Sequence, residues 1–268
     1  MAGEAEDEND DAVRKRVRAQ FGANANAYVV SCVHAAGADL DLLVAWAEAS
    51  PEKSLLDVAT GGGHTALAMS RLYGSVVATD ITQPMLDASS VFHRSKGVNN
   101  VTYEIADAEA LPFDDESFDA VSCRIAPHHF PKPARFVSEA ARVLKPGGIF
   151  LFEDSIVPGD PDLGHALNRV EWLRDESHVR SLGEAEWTSL IERAGLHVEE
   201  RTIDRKRRDL ADWFGRAQTP PERRREVERT FLVAGPAGRE AFRLEFGAGG
   251  SLIAYTDEKL LIKARKAV

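Results

Sequence analysis

The residues of this chain that are equipped for chemistry fall in three short stretches. The first is Leu55-Leu56-Asp57-Val58-Ala59-Thr60-Gly61-Gly62-Gly63-His64-Thr65, an apolar strand running into a glycine turn and the start of a helix. Glycines at such a turn let the backbone bend sharply and approach a ligand with no Cβ in the way. Read as Gly61, Gly63 and Ala66, the turn also satisfies a dinucleotide fingerprint, so a nicotinamide or flavin ligand stays open. A pyrophosphate favours bare N–H groups and positive potential, whereas Asp57 sets a carboxylate where the ligand would carry an ammonium group, and an amino-acid moiety suits that better. Asp57 could equally cap the turn, and the two roles are compatible.

The second stretch is Asp80, directly after the apolar Val76-Val77-Ala78-Thr79. A carboxylate at the end of the second strand can accept hydrogen bonds from both ribose hydroxyls, which identifies a nucleoside but not a reaction. The alternative, a helix N-cap ahead of Pro84, falls more naturally to Thr82. Met85, on the following helical turn, is placed to cover an adenine face or to join the core. The third stretch is Arg124-Ile125-Ala126-Pro127-His128-His129-Phe130. Histidine is the side chain whose ordinary pKa suits proton removal near neutrality, so His128 and His129 are candidate bases or substrate anchors, against the plainer role of ordering a loop. Arg124 opens that loop, placed either to line the cofactor or to bind an acidic substrate.

These stretches need a scaffold that brings strand ends together. Apolar runs at Ser54 to Ala59, Ser75 to Thr79, Val101 to Ile105, Phe118 to Cys123 and Ile149 to Glu153 alternate with amphipathic segments at Thr65 to Tyr73, Met85 to Lys96 and Ala134 to Leu144. Short buried strands alternating with helices imply parallel pairing through right-handed crossovers, hence an α/β sheet covered on both faces. Ligands in such sheets sit beyond the carboxyl ends of the strands, where the strand order reverses. Upstream, helical spacing over Ala12 to Phe21 runs into a small-residue segment, Gly22 to Ala27, expected to be mobile; Leu40 to Glu48 reads as a helix stopped at Ser50-Pro51. Downstream come helices near Asp162 to Arg174 and Glu184 to Ala194, a strand at His197 to Ile203, a mostly helical insertion over Asp209 to Phe246 and a last strand near Leu260 to Ala264.

At 268 residues and 44% hydrophobic, the chain has enough material for one α/β domain, 12–268, with a helical elaboration. Its net charge of −10 argues against a nucleic-acid backbone as partner. Much of that charge lies in residues 1–11, which hold six acids (Glu4, Glu6, Asp7, Glu8, Asp10, Asp11) and no base and read as a disordered acidic tail. The basic runs Arg205 to Arg208 and Arg223 to Arg225 read as solvated helix or strand-end charge, with a local patch for an anionic ligand as the alternative. No apolar stretch reaches the roughly 20 residues of a membrane span and no signal-peptide core opens the chain, so the expected compartment is cytoplasmic. Cys32 and Cys123 read as reduced thiols; they lack the paired spacing of a zinc site, and no metal is expected.

Three further segments join these three: Ala106-Asp107-Ala108-Glu109-Ala110-Leu111-Pro112-Phe113, Phe118-Asp119-Ala120-Val121, and Arg142-Val143-Leu144-Lys145-Pro146-Gly147-Gly148. In this order and spacing, over roughly residues 50 to 155, the chain resembles the class I S-adenosylmethionine (SAM)-dependent methyltransferases, in the branch similar to ubiquinone and menaquinone C-methyltransferases. The resemblance implies a Rossmann-like, doubly wound, mostly parallel seven-stranded sheet with an antiparallel last strand, a core over 51–155 preceded by N-terminal helices over 12–50, and a helical lid insertion over 209–246. It implies SAM as cofactor, S-adenosylhomocysteine as product, and a small-molecule acceptor with a carbon or oxygen nucleophile, phenolic or quinone-like. The site it implies holds the methionine and ribose parts at Asp57, Ala59, Gly61 and Gly63, the ribose at Asp80 and Ile81, the adenine at Met85, Asp107 and Ala108, with Tyr28 near the methyl group and Arg124 at the cofactor. One position departs from the pattern: Ala59 stands where the family usually has its first glycine.

Methyl transfer is an in-line displacement whose barrier falls mainly through alignment and exclusion of water, so few catalytic side chains are needed. The insertion, with Trp213 and Phe214, is expected to be core or a lid choosing an apolar acceptor. Methylation of a nucleic-acid amine is disfavoured, because Ala126-Pro127-His128-His129 replaces the Asn/Asp-Pro-Pro-aromatic motif; arsenite methylation would need more cysteines. Two other classes stay open: a SAM-binding protein of the same fold that catalyses another reaction or only binds, and an NAD-dependent oxidoreductase.

Overall fold

The computed structural model describes residues 2–29 and 37–268, with only the backbone described at 2–9, 24 and 26–28. Its centre is a sheet of β1 (Ser54–Val58), β2 (Ser75–Asp80), β3 (Val101–Ile105), β4 (Phe118–Arg124), β5 (Leu144–Ile156), β6 (Leu196–Asp209) and β8 (Leu252–Lys266), in the order β3-β2-β1-β4-β5-β8-β6. The two-residue β7 (Glu245–Phe246) pairs with β8 off this path. The first five strands are parallel, and β8 slots between β5 and β6 antiparallel to both.

Alternation along each strand divides the core between two faces. Leu56, Val58, Phe150, Phe152, Leu260 and Ile262 pack with α5 (Pro133–Val143) and α7 (Glu184–Arg193) on one side. Leu55, Ile149, Leu151 and Leu261, their neighbours in sequence, pack with α2 (Ala38–Ala45) and α3 (His64–Met69) on the other. The strand order reverses between β1 and β4, so their carboxyl ends splay apart there and open the site.

Three regions differ from the sequence expectation. Helix α1 runs Ala2–Val29 without a break, through both the acidic tail expected to be disordered and the Gly22 to Ala27 segment expected to be mobile. Tertiary contacts hold it: Asp10 pairs with Lys132 Nζ at 2.5 Å, and Gly22 faces Thr82 and Pro84 at the start of α4 (Gln83–Ser95), where an added Cβ would stand in ordinary contact with both. The strands β6 and β8 extend well past the expected Ile203 and start well before Leu260. The added part of β6 is charged, and cross-strand pairs replace burial as its support, whereas β8 adds the buried Leu252, Ala254 and Tyr255 before the charged run Asp257 to Lys259. Arg205 meets Glu258 at 2.7 Å, Arg207 meets Glu245 at 2.9 Å, and Arg208 meets Asp257 at 2.6 Å, so the basic run expected to be solvated is largely matched by acids.

The insertion is helical as expected: α8 (Leu210–Arg216), α9 (Pro221–Val233) and α10 (Gly235–Ala241). With α6 (Pro161–Arg174) it forms a third core of Leu167, Val170, Trp213, Phe214, Phe231, Phe242 and Tyr255. Among the described residues, no helix is long and apolar enough to cross a membrane. Cys123 is a buried free thiol, and Cys32 lies outside the described residues.

Candidate active site

A cleft with about 990 Å³ of empty space opens over the carboxyl ends of β1, β2 and β4. Its lining runs from Ala59 to Gly62 through Asp80, Ile81 and Met85 to Ala106, Asp107 and Ala108, and on to Arg124 and His129. Gly61, at φ +53°, has nothing within 4 Å of where a Cβ would stand, so its backbone faces open space. Gly63 acts differently: at φ +79° it packs so tightly that a Cβ would stand 2.1 Å from Ser89 Oγ and 2.6 Å from His93 Nε2. That glycine closes α3 against α4 and does not line the cleft. Ala59 takes φ +54°, the left-handed region where a Cβ is costly, so the departure from glycine is tolerated as local strain in the cleft wall.

The carboxylates divide by role. Asp57 is 1% exposed and lies beneath the turn, where Thr60 Oγ1 donates to its Oδ2 and Ser122 Oγ to its Oδ1, both at 2.6 Å. It is absent from the lining; burial raises its pKa to about 6 against the pull of those two hydroxyls. Asp80 does line the cleft. Its Oδ2 accepts the Gly61 N–H at 3.0 Å and its Oδ1 the Thr82 N–H at 2.9 Å, which aims the carboxylate and leaves lone pairs for a diol. Burial raises its pKa as well, to about 6, with those backbone donors opposing. Asp107 takes the Glu109 N–H on Oδ1 at 2.9 Å and faces Arg14 Nε at 2.7 Å with Oδ2. Arg14 also reaches Glu109 at 2.7 Å, so α1 is clamped across the cleft and lends Val17 and Phe21 to its wall. The Tyr28 side chain lies outside the described residues.

Arg124 belongs to the frame. It pairs with Asp39 on α2 at 2.5 Å and with Glu153 on β5 at 2.8 Å, tying three elements together where its side chain meets the cleft. The next residue, Ile125, sits at φ +56°, unusual for a β-branched side chain, and is held there by its N–H donating to the Glu153 carbonyl at 2.8 Å. This strained turn delivers the short 3₁₀ segment Pro127–His129 to the site.

The two histidines part company. His128 Nδ1 lies 2.6 Å from Asp154 Oδ1, at the end of β5, and a carboxylate there fixes Nδ1 as the protonated nitrogen and leaves Nε2 with its lone pair. Burial disfavours the imidazolium, but the Asp154 carboxylate outweighs it and the pKa is raised above 6.5. His129 donates from Nδ1 to the Ser177 carbonyl at 2.9 Å; burial, with the neighbouring His128 charge, holds its pKa well below the ordinary value. The segment after α6 locks both: Val179 and Arg180 donate backbone N–H groups to the His128 carbonyl, and Asp175 takes the Ser177 N–H at 2.9 Å and its hydroxyl at 2.6 Å.

A second cavity lies beyond this pair, lined by His128, Ser155, Glu171, Arg174, His178 and Lys259 among others, and it shares Phe21, Ile125 and His129 with the first. Its lining is charged, which differs from the expected apolar acceptor pocket. Sheet register explains the charge: Arg208 pairs across from Tyr255, Lys206 from Asp257 and Asp204 from Lys259, so these side chains share one face of the β6–β8 arms. Asp154, Ser177 and Arg14 were not singled out from sequence. For Asp154 a signal existed, a carboxylate at the end of a core strand; the others depend on long-range packing.

Comparison with known proteins agrees with this architecture. A family profile described as a methyltransferase domain matches residues 56–152. Over 246 residues the chain is 35% identical to YcgJ of Bacillus subtilis, an uncharacterised methyltransferase, covering 92% of this chain and 97% of that protein. The crystal structure of YcgJ aligns with a TM-score of 0.83 over 86% of this chain and 98% of that one, at 34% identity. A Bacillus halodurans protein assigned as a methyltransferase aligns at 0.83 with 38% identity, over 87% of this chain and all of that one, at 100%. The core is also 39% identical over 105 residues to a demethylmenaquinone methyltransferase of Clavibacter sepedonicus, 39% of this chain and 42% of that protein. The chain belongs to the class I SAM-dependent methyltransferases, and SAM is its cofactor.

Proposed function

We propose that the protein methylates a small-molecule acceptor through an oxygen or acidic carbon that gives up its proton to His128. The observation that carries this reading is the His128–Asp154 pair, whose free Nε2 belongs to a ring lining a cavity that meets the cofactor cleft at His129. SAM supplies an electrophilic methyl group. Asp80 and Asp107 hold the nucleoside, and the open backbone at Gly61 admits the amino-acid end, with Asp57 stiffening the turn from below. Phe21, Ile125 and His129 form the neck between the two chambers and exclude water from it. His129, kept neutral by burial, is a positioning group at that neck.

The likeness to a demethylmenaquinone methyltransferase spans 105 residues, 39% of this chain, and supports the class of reaction rather than the identity of the acceptor. Phenolic acceptors suit a histidine base, because their protons are acidic enough to move to imidazole in the transition state. A cytoplasmic location and a small-molecule acceptor are part of this proposal. The test is calorimetry with SAM, S-adenosylhomocysteine and NAD in parallel, followed by turnover of phenolic acceptors in wild type and His128→Gln. Binding of both sulfur nucleosides with turnover lost only in the variant is the expected result; NAD binding alone, or full turnover in the variant, overturns it.

A further inference from the structure

We propose that the acceptor carries an anionic group, a carboxylate or a phosphate, seated in the second cavity by the guanidinium groups of Arg174 and Arg216 with Arg208 behind them. The proposal rests on the methyl-transfer reading for what the cavity is for, and on the cavity's own charges for what it binds.

Four permanent cations, Arg174, Arg208, Arg216 and Lys259, line this cavity together with three acids, Glu171, Asp175 and Asp257. Each acid already accepts a hydrogen bond, and only Asp257 takes it from an arginine of the cavity. Asp257 Oδ2 accepts from Arg208 Nη2 at 2.6 Å, Asp175 is taken up by the N–H and hydroxyl of Ser177, and Glu171 Oε1 accepts the Tyr255 hydroxyl at 2.8 Å. Lys259 faces the buried Glu153 at 3.7 Å from the other side. Arg174 lies in the field of Glu171 and Asp175 but pairs with neither within 4 Å among the described residues: its Nε donates to the Trp213 carbonyl at a long 3.4 Å, and its guanidinium lies 5.0 Å from the centre of the Trp213 ring. Among the described residues, Arg216 forms an ion pair with Asp212 alone, at 3.2 Å, an acid 65% exposed on its own helix.

Three guanidinium groups gathered at one wall repel one another. Burial and then the charges of Arg208 and Arg174, offset in part by Asp212, hold Arg216 below its ordinary pKa. An arrangement of this kind is costly unless an anion completes it, and guanidinium is the group that receives a carboxylate or phosphate through paired N–H bonds. The stacking of Arg174 on Trp213 fixes the plane from which those bonds would be offered. Because His128 lines the same cavity, an acceptor anchored by its anionic end presents its far end towards the base and the neck.

Calorimetric titration of the full-length protein, saturated with S-adenosylhomocysteine, with phenylacetate, phenyl phosphate and the neutral phenylacetamide tests this. At least one anion is expected to bind about tenfold tighter than the amide, and Arg174→Gln with Arg216→Gln to weaken it about tenfold or more while S-adenosylhomocysteine affinity and the melting temperature hold. The two anions separate a carboxylate seat from a phosphate seat. Arg216→Gln alone, at a partly exposed position, provides the same comparison should the double variant fold poorly. Equal or tighter binding of the amide, no measurable binding of either anion at millimolar concentration, or unchanged anion affinity in the variants each overturns the proposal. A protein that does not bind S-adenosylhomocysteine refutes the cofactor reading instead, and the same titration without nucleoside then decides the anion seat.

Discussion

The two chambers of this site are built on opposite principles. The cofactor cleft uses backbone: a glycine turn, a left-handed Ala59, and carboxylates such as Asp80 aimed by neighbouring N–H groups, all within a few residues of a strand end. The proposed acceptor cavity uses side chains brought from far apart, with His128 from the 3₁₀ segment after β4, Asp154 from β5, Arg174 from α6, and Arg208, Asp257 and Lys259 from the antiparallel arms. A backbone site is set by local geometry and suits a ligand that does not change. A site assembled from side chains on long arms can be rewritten without disturbing the sheet, which is how one fold serves many acceptors.

The largest expected effect lies on the acceptor side. His128→Gln should lower kcat by about 10²-fold or more, the usual worth of a positioned base, with S-adenosylhomocysteine affinity within about twofold of wild type. Rate against pH sharpens this. The base form of His128 is the working one, so kcat should rise with pH through an inflection above 6.5; Asp154→Asn removes the group that raises that pKa and should move the inflection down. An inflection that stays in place would detach Asp154 from the chemistry and erase the contrast between the chambers.

On the cofactor side, Asp80→Ala should weaken nucleoside binding by about 1 to 3 kcal/mol, the cost of unmade hydrogen bonds at a buried site. In the wild type, affinity should fall as pH drops through about 6, where the Asp80 carboxylate takes up a proton and loses acceptor capacity. Calorimetry at several pH values reads both, and a flat profile would count against the ribose role. The smallest effect is expected at the strained turn. Ala59→Gly should raise stability by about 0.5 to 1 kcal/mol, since relief of left-handed strain exceeds the added freedom of the unfolded chain, and it should leave nucleoside affinity in place. A lower melting temperature would mean the methyl group packs usefully.

What could be read before any coordinates follows the same division. Strands β1 to β5, the glycine turn, Asp80 and the histidine loop were legible, because apolar periodicity and turn chemistry are local signals. The charged arm of β6 was not, since Asp204 to Asp209 has no apolar alternation and is held by partners on β7 and β8. The continuity of α1 was hidden for a related reason: its composition suggested tail and linker, and Asp10 and Arg14 find their partners about a hundred residues away. Arg124 shows the limit for a single residue. Its position pointed to a ligand, yet two buried carboxylates from other elements claim its charge.

By itself the sequence determined the parallel α/β sheet, the nucleoside end of the site and the class of cofactor, because each follows from short-range pattern and from backbone groups that need no distant partner. Only the tertiary structure decided which histidine faces a carboxylate, which arginines lack one, and where the two chambers meet. Those outcomes depend on register and on the pairing of buried charges, and a charge's partner is chosen by the fold as a whole.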